Sequence, residues 1–144
     1  MAHYVKMTVP EHDNLVFQIS DPFFKQELEP YFMTRIVDVL NFLKQYQFRE
    51  VSEPICLSVK DEIVSENNGQ FLLQIESNDV SVSKITSYEG HEISCDVQQL
   101  VQMLLGFKRP TELLKENMIN GELQAINLFE KMIPENQTLF TDFY

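Results

Sequence analysis

At 144 residues with 44% hydrophobic side chains, the chain has the length of one ordinary domain, able to bury roughly 68–70% of the surface its unfolded form exposes. Its 22 Asp and Glu against 11 Lys and Arg leave a formal charge of -11, a field that repels phosphate backbones and anionic lipid, so neither nucleic acid nor a membrane is expected as a partner. The same field would concentrate cationic amines, polyamines or basic peptides, although a solvated acidic surface with no such role is the commoner explanation.

Residues 1–30 read as a lead-in and residues 31–144 as the domain proper. The first residues, Met-Ala-His-Tyr-Val-Lys, hold no apolar run of signal-peptide length, and Cys56 and Cys95, far apart and without Cys-x-x-Cys spacing, make a reduced cytoplasmic protein the default expectation. Val5, Met7 and Val9 alternate with Lys6 and Thr8 in a short strand stopped by Pro10, and Asn14 to Ser20 is helix-like before Asp21-Pro22 and Glu29-Pro30. A single strand cannot satisfy its backbone alone, so it pairs within the domain or once belonged to another sheet. Tyr31 to Val37 reads as a strand, and Asp38 is placed to cap a helix with Val39, Phe42, Leu43 and Tyr46 on one face.

Four strand patterns follow: Ile55/Leu57/Val59, Phe71/Leu73/Ile75, Val80/Val82 and Ile93/Cys95. Turn chemistry separates them at Asn67-Asn68-Gly69, Asn78-Asp79 and Glu89-Gly90, and the set reads as an antiparallel meander. Cys56 and Cys95 lie within these patterns as reduced, small hydrophobes rather than a metal pair. Asp96 with Gln99 makes a capping-box pattern for a helix carrying Val97, Leu100, Val101, Leu104 and Leu105, stopped by Gly106. The most hydrophobic window, Leu100 to Phe107, is far too short to cross a bilayer. A short helix over Thr111 to Asn117 and a longer one over Glu122 to Ile133, ended by Pro134, complete the set. Strands first and helices after predict an α+β domain, with an antiparallel sheet of about five strands and helices packed on one face.

Much chemistry is excluded. The four glycines, at 69, 90, 106 and 121, are too dispersed to cradle a phosphate. His3, His12 and His91 lack metal-ligand spacing, so no metal site is expected. Ser58, Ser81, Ser83 and Ser94 alternate along strands as a polar face, with no nucleophile elbow. Pairs such as Asp61 and Glu62 read as solvated carboxylates. Arg35, set between apolar neighbours, points to a carboxylate, with Asp38 the nearest acid; Phe32 and Met33 are candidates for the core or for a pocket wall.

The final stretch, Thr138-Leu-Phe-Thr-Asp-Phe-Tyr144, ends on aromatics that would lose roughly 1.5–3 kcal/mol each between burial and full exposure. Such a tail is expected to be tied down, fixing the α-carboxylate of Tyr144 as an anchor or as a base. An α-carboxyl ordinarily titrates near ~3.3–3.7, so work as a base near neutral pH requires burial among groups such as Phe140 and Phe143 to raise it.

Together, Tyr31-Phe-Met-Thr-Arg-Ile-Val-Asp-Val39, Phe42-Leu43, Leu57-Ser-Val-Lys-Asp61, Asn68-Gly-Gln-Phe71, Asp96 to Gly106 and Asp142-Phe-Tyr144 resemble the C-terminal, sterol-carrier-protein-like domain of Eis-type (enhanced intracellular survival) GNAT N-acetyltransferases. The resemblance implies two preceding acetyltransferase-type domains, the first binding acetyl-CoA, and a C-terminal carboxylate reaching the active site as general base. Tyr144 takes that role here, with Phe143, Met33 and Arg35 beside a cationic amine substrate. The strand Val5 to Val9 then resembles the last strand of the preceding domain. The resemblance also implies homo-oligomers. This chain holds no acetyl-CoA-binding domain, so no cofactor and no catalysis are expected of it alone. An alternative is a free-standing module that lodges a lipid or other hydrophobic ligand between the helix stripe and the sheet.

Overall fold

The computed structural model describes residues 6–7, 9, 13–20, 24–27, 33–49, 53–76, 79–135 and 138. It divides into two units: Met1–Met33 with Leu139–Tyr144, and Thr34–Thr138. In the first unit the helix-like piece is a single 3-10 turn, Leu15–Gln18, opened by Asp13 Oδ1 accepting the Leu15 N–H at 2.6 Å. Lys6, Met7 and Val9, the described part of the expected lead-in strand, are irregular.

The second unit carries the fold. Its elements run α1 (Val39–Gln45), β1 (Ile55–Lys60), β2 (Gly69–Glu76), β3 (Asp79–Ile85), β4 (Glu92–Asp96), α2 (Val97–Leu104), α3 (Pro110–Lys115), β5 (Asn120–Gly121) and α4 (Leu123–Met132). The five strands form one sheet in the order β3-β2-β1-β4-β5. It is the α+β architecture expected, with two corrections.

The first correction concerns the fifth strand. Met33 to Val37 is irregular, and the fifth strand is instead the two-residue β5, paired antiparallel with β4 through Ile93–Gly121 and Ser94–Asn120. Tyr31 and Phe32, the start of the expected strand, lie outside the described residues. The Arg35–Val37 segment is β-branched and apolar enough to look like a strand, yet its Arg35 guanidinium and Ile36 carbonyl are bonded by side chains of a distant turn, described below.

The second correction concerns direction. β1, β2 and β3 form the expected antiparallel meander, but β4 leaves β3 and pairs parallel with β1, Leu57 against Ile93 and Val59 against Cys95. Burial explains the choice. Ile55, Cys56, Leu57 and Val59 of β1 are all buried, whereas Val82 is the one buried residue of β3. A strand buried on both faces belongs in the middle of the sheet, and a polar one such as β3 belongs at the edge. The six-residue link after β3 has to pass three strand spacings, ~14 Å, well within the ~20 Å that an extended six-residue segment reaches.

Register gathers the apolar side chains on one face, where Ile55, Leu57, Phe71, Leu73 and Ile93 are 1% exposed or less. Against them pack Leu43 of α1, Leu100 and Met103 of α2, Leu113 of α3, and Ala125, Ile126, Phe129 and Met132 of α4, every one fully buried. The opposite face carries Ser58, Gln70, Gln74, Ser81, Ser83 and Ser94, polar as their alternation predicts, with Cys56 buried and Leu72 half-buried among them. At the sheet edge, Lys84 falls on the apolar side and resolves the conflict by lying along Phe71, its Nζ 5.4 Å from the ring centroid, and donating to the Glu66 carbonyl at 2.7 Å. Gly69 makes room for it: φ is +142°, and a Cβ there would stand 2.6 Å from Lys84 Cε.

Helix ends follow the sequence in part. Asp38 Oδ1 accepts the Asn41 N–H at 2.9 Å, the cap expected for α1. Gly106, with φ 75°, ends the α2 region. The expected capping box at Asp96 does not form: Asp96 makes no side-chain cap bond, and the Gln99 Oε1 is buried without a partner. The reach-back bond appears one helix later, where Glu112 Oε2 accepts the Arg109 N–H at 2.7 Å beside Pro110 at the first position of α3.

Both thiols are free and buried. Burial, with the Asp96 carboxylate adding to it, pushes Cys95 up to about 12; burial, with Glu92 adding, pushes Cys56 up to about 11. Thiolate is the reactive form. Native protein at neutral pH is therefore expected to resist iodoacetamide, and unfolded protein to take up two labels; intact-mass measurement reads both states.

Candidate functional site

The densest polar cluster of the described residues joins the entry of α1 to the turn after β1. Asp61, 5% exposed, and Asn67, 2% exposed, are the buried polar residues of the core region. Asp61 Oδ1 accepts the backbone N–H groups of Ile63 at 2.9 Å and Val64 at 3.0 Å and pairs with the Arg35 guanidinium, while Oδ2 accepts the Asn67 amide at 2.9 Å. Asn67 works in both directions: its Oδ1 accepts the Val39 N–H at 2.9 Å, and its Nδ2 also reaches the Ile36 carbonyl at 3.4 Å. Next to it, Asn68 accepts the Asp61 N–H at 2.9 Å and donates to the Asp61 carbonyl at 2.8 Å and the Ser65 carbonyl at 3.1 Å. The Asn67-Asn68 pair thus closes the turn like a second backbone and pins it to the segment that enters α1.

This geometry decides what Asp61 can do. The Asn67 amide, the Val64 and Ile63 N–H groups and Arg35 hold its carboxyl well below the usual carboxylate range, against the opposing effect of burial. A carboxylate with both oxygens committed and its proton long gone is neither a general acid nor a free base near neutral pH. Its role is to fix the backbone. Arg35 is accordingly paired with Asp61 and not with Asp38, whose carboxylate is taken by the Asn41 N–H and side chain. Asp61 itself is not the solvated acid that the Asp61-Glu62 pair suggested; the adjacent Asn67-Asn68 amides were the signal that it had buried donors to answer.

The expected site residues are only partly assembled by the fold. Met33 is fully exposed, with no core role. Arg35 has its carboxylate partner. Phe143 and Tyr144 lie outside the described residues. Among the described residues no cluster of three or more His, Cys, Asp or Glu could hold a metal ion, and no helix is long and apolar enough to cross a membrane.

An open groove of about 490 Å³ runs between the end of α1 and the end of α2. Phe42, Tyr46, Leu104, Leu105 and Pro134 line it together with Gln45, Gln47 and Thr138. The Tyr46 hydroxyl donates to the Leu104 carbonyl at 2.6 Å, and burial pushes its pKa up to about 12, so it braces the wall and does not titrate near neutral pH. The Thr138 N–H donates to the Leu105 carbonyl at 2.9 Å, which fixes the far edge. These lining residues include no acid, histidine or cysteine; what they offer is apolar contact and side-chain amides.

Comparison with known proteins follows the fold closely. A protein from Enterococcus faecalis V583, described as a conserved protein of unknown function and probable N-acyltransferase, superimposes with a TM-score of 0.82 at 21% identity, covering 92% of this chain and 34% of its own. A GCN5-related N-acetyltransferase from Anabaena variabilis matches at TM-score 0.63 and 20% identity, over 72% of this chain and 26% of its own. Eis1 from Mycobacterium abscessus matches at TM-score 0.60 and 24% identity, over 76% and 27%. The chain therefore spans about a third or less of the length of these proteins. No curated protein matches the sequence. The sterol carrier protein domain model matches residues 39–141, which takes in every element from α1 to α4, and the chain belongs to the sterol carrier protein domain family.

Proposed function

We propose that this chain is the sterol-carrier-like part of a larger Eis-type N-acetyltransferase. In this reading residues 1–30 are the end of a preceding acetyltransferase-like domain, and residues 31–144 shape the pocket for a cationic amine. Tyr144 supplies the carboxylate that takes the proton from that amine, with Phe143, Met33 and Arg35 near it. The observation that carries the proposal is the superposition of nearly the whole chain on one third of a probable N-acyltransferase, together with a polar cluster whose one buried acid is already spent on structure. The acetyl-CoA-binding portion, the cofactor and any homo-oligomer belong to the larger assembly.

A fusion tests it, with this chain replacing the matching third of the Enterococcus protein. Acetyl-CoA-dependent acetylation of a panel of amines is expected from the fusion and not from this chain alone, and calorimetry of the chain alone with acetyl-CoA is expected to show no binding. One alanine added after Tyr144 displaces the carboxylate and lowers the rate. Binding of acetyl-CoA by the isolated chain overturns the domain assignment; a rate and pH profile indifferent to the added alanine remove Tyr144 from the mechanism. The apolar groove supports a second reading, a module for a hydrophobic ligand. Saturable uptake of a fluorescent fatty acid by the isolated chain, abolished by Leu104→Lys, favours it.

A further inference from the structure

The dipeptide Asn-Gly occurs twice, at Asn68–Gly69 and Asn120–Gly121, and the fold treats the two in opposite ways. Glycine without a Cβ leaves its backbone nitrogen the least shielded of any residue, so the preceding asparagine carboxamide lies within its reach. At the first dipeptide the carboxamide is held at both ends, by the Asp61 N–H on Oδ1 and by the Asp61 and Ser65 carbonyls on Nδ2. Turning its carbon toward the Gly69 nitrogen breaks all three bonds. At the second, both residues are exposed, they make up the whole of the edge strand β5, and no hydrogen bond among the described residues holds the Asn120 carboxamide.

We infer that Asn120–Gly121 is a site of spontaneous deamidation and isoaspartate formation in the folded protein, and that Asn68–Gly69 is protected. A base removes the Gly121 amide proton, and the nitrogen attacks Asn120 Cγ. A new bond between that nitrogen and Cγ closes a five-membered succinimide, the bond from Cγ to Nδ2 breaks, and Nδ2 leaves as ammonia with a proton. Water then opens the ring at either carbonyl, giving aspartate or isoaspartate.

The position has a structural consequence. A Cβ on Gly121 would stand 2.9 Å from the Glu92 carbonyl oxygen and 3.4 Å from Ile126 Cδ1 and Ile93 Cγ1. Isoaspartate lengthens the backbone by one atom at this tight spot. The strain is taken up by parting β5 from β4 or by pushing on Ile93 and Ile126, both fully buried.

The folded protein, aged at body temperature and mildly alkaline pH, is mapped by peptide mass spectrometry, with isoaspartyl methyltransferase labelling to count isoaspartate. Asn120 is expected to convert at least about tenfold faster than Asn68, the factor that breaking even one or two net hydrogen bonds supplies. In urea the difference should vanish. Asn120→Gln should abolish labelling of the folded protein. Conversion of Asn68 at an equal or greater rate in the folded protein overturns the inference, and so does an intact Asn120 in folded protein over a time in which it converts in urea.

Discussion

Replacing Asp61 by alanine is expected to lower the melting temperature by roughly 10 °C, because it strands partners of a buried charge rather than removing a surface ion pair. The Ile63 and Val64 N–H groups, the Asn67 amide and the Arg35 guanidinium all lose their acceptor at once. Asn67 then has less reason to hold the orientation that serves the Val39 N–H at the first turn of α1. The contrast is Arg35→Met. Arg35 is one of four donors and its side chain is 31% exposed, so its removal should shift the melting temperature by only a few degrees. Acid sharpens the test. The donors hold the folded-state carboxyl below the ~3.9 of an unfolded aspartate, so the unfolded protein takes up the proton first as pH falls. The contribution of Asp61 is whole above about pH 5 and is lost as the pH drops through ~4 toward the lower folded value. Melting by circular dichroism between neutral pH and pH 3 should therefore show a steeper acid decline in the parent than in Asp61→Ala. Parallel curves, or equal losses for Asp61→Ala and Arg35→Met, would show that the carboxylate does not organise this corner.

What the sequence revealed and what it hid divide along a physical line. Period-2 and period-3.6 patterns follow directly from which side chains meet the core, so β1 to β4, α1, α2 and α4 were all legible, and the short helix expected over Thr111 to Asn117 is α3. Strand direction was not. Ile93 and Cys95 alternate in the same way whether β4 lies antiparallel beside β3 or parallel beside β1, and only the burial of both faces of β1 separates the two. Arg35–Val37 imitated a strand because apolar β-branched residues fit either a sheet or a segment pinned by side chains. The partner of Arg35 was misassigned for a related reason: Asp38 is near in sequence, whereas Asp61, 26 residues away, comes near only once Asn67 has bridged Val39 to the turn. The two-residue β5, lying between α3 and α4 in the chain, is too short to carry any pattern. The expected roles of Phe143 and Tyr144 rest on the resemblance and the fusion experiment.

Phe129→Ala carries the largest expected loss in the core, roughly 3–5 kcal/mol. Phe129 is fully buried on α4 and is the inner end of a run of rings: Phe42 to Tyr46 at 5.9 Å, Tyr46 to Phe48 at 4.6 Å and Phe48 to Phe129 at 6.4 Å between centroids. The run leads from the end of α1, where Phe42 and Tyr46 line the groove, into the core. Hydrogen bonds brace it at both ends, Arg49 N–H to the Met132 carbonyl at 2.7 Å and Tyr46 hydroxyl to the Leu104 carbonyl at 2.6 Å. Cutting Phe129 back to alanine leaves a cavity that these braces prevent from closing, so the cost belongs at the upper end of the range. Phe129→Leu keeps most of the volume and should cost well under half as much. The protein has no tryptophan, so urea unfolding is followed by far-ultraviolet circular dichroism, with an unchanged m-value expected for both variants. The groove supplies the independent readout: if the ring run supports its wall, Phe129→Ala loosens Tyr46 and speeds hydrogen exchange at the Leu105 and Thr138 amides before global unfolding. Exchange there at the parent rate, with the full stability loss still present, would mean that the groove is held by the Tyr46–Leu104 bond alone and that the aromatic run serves only the core.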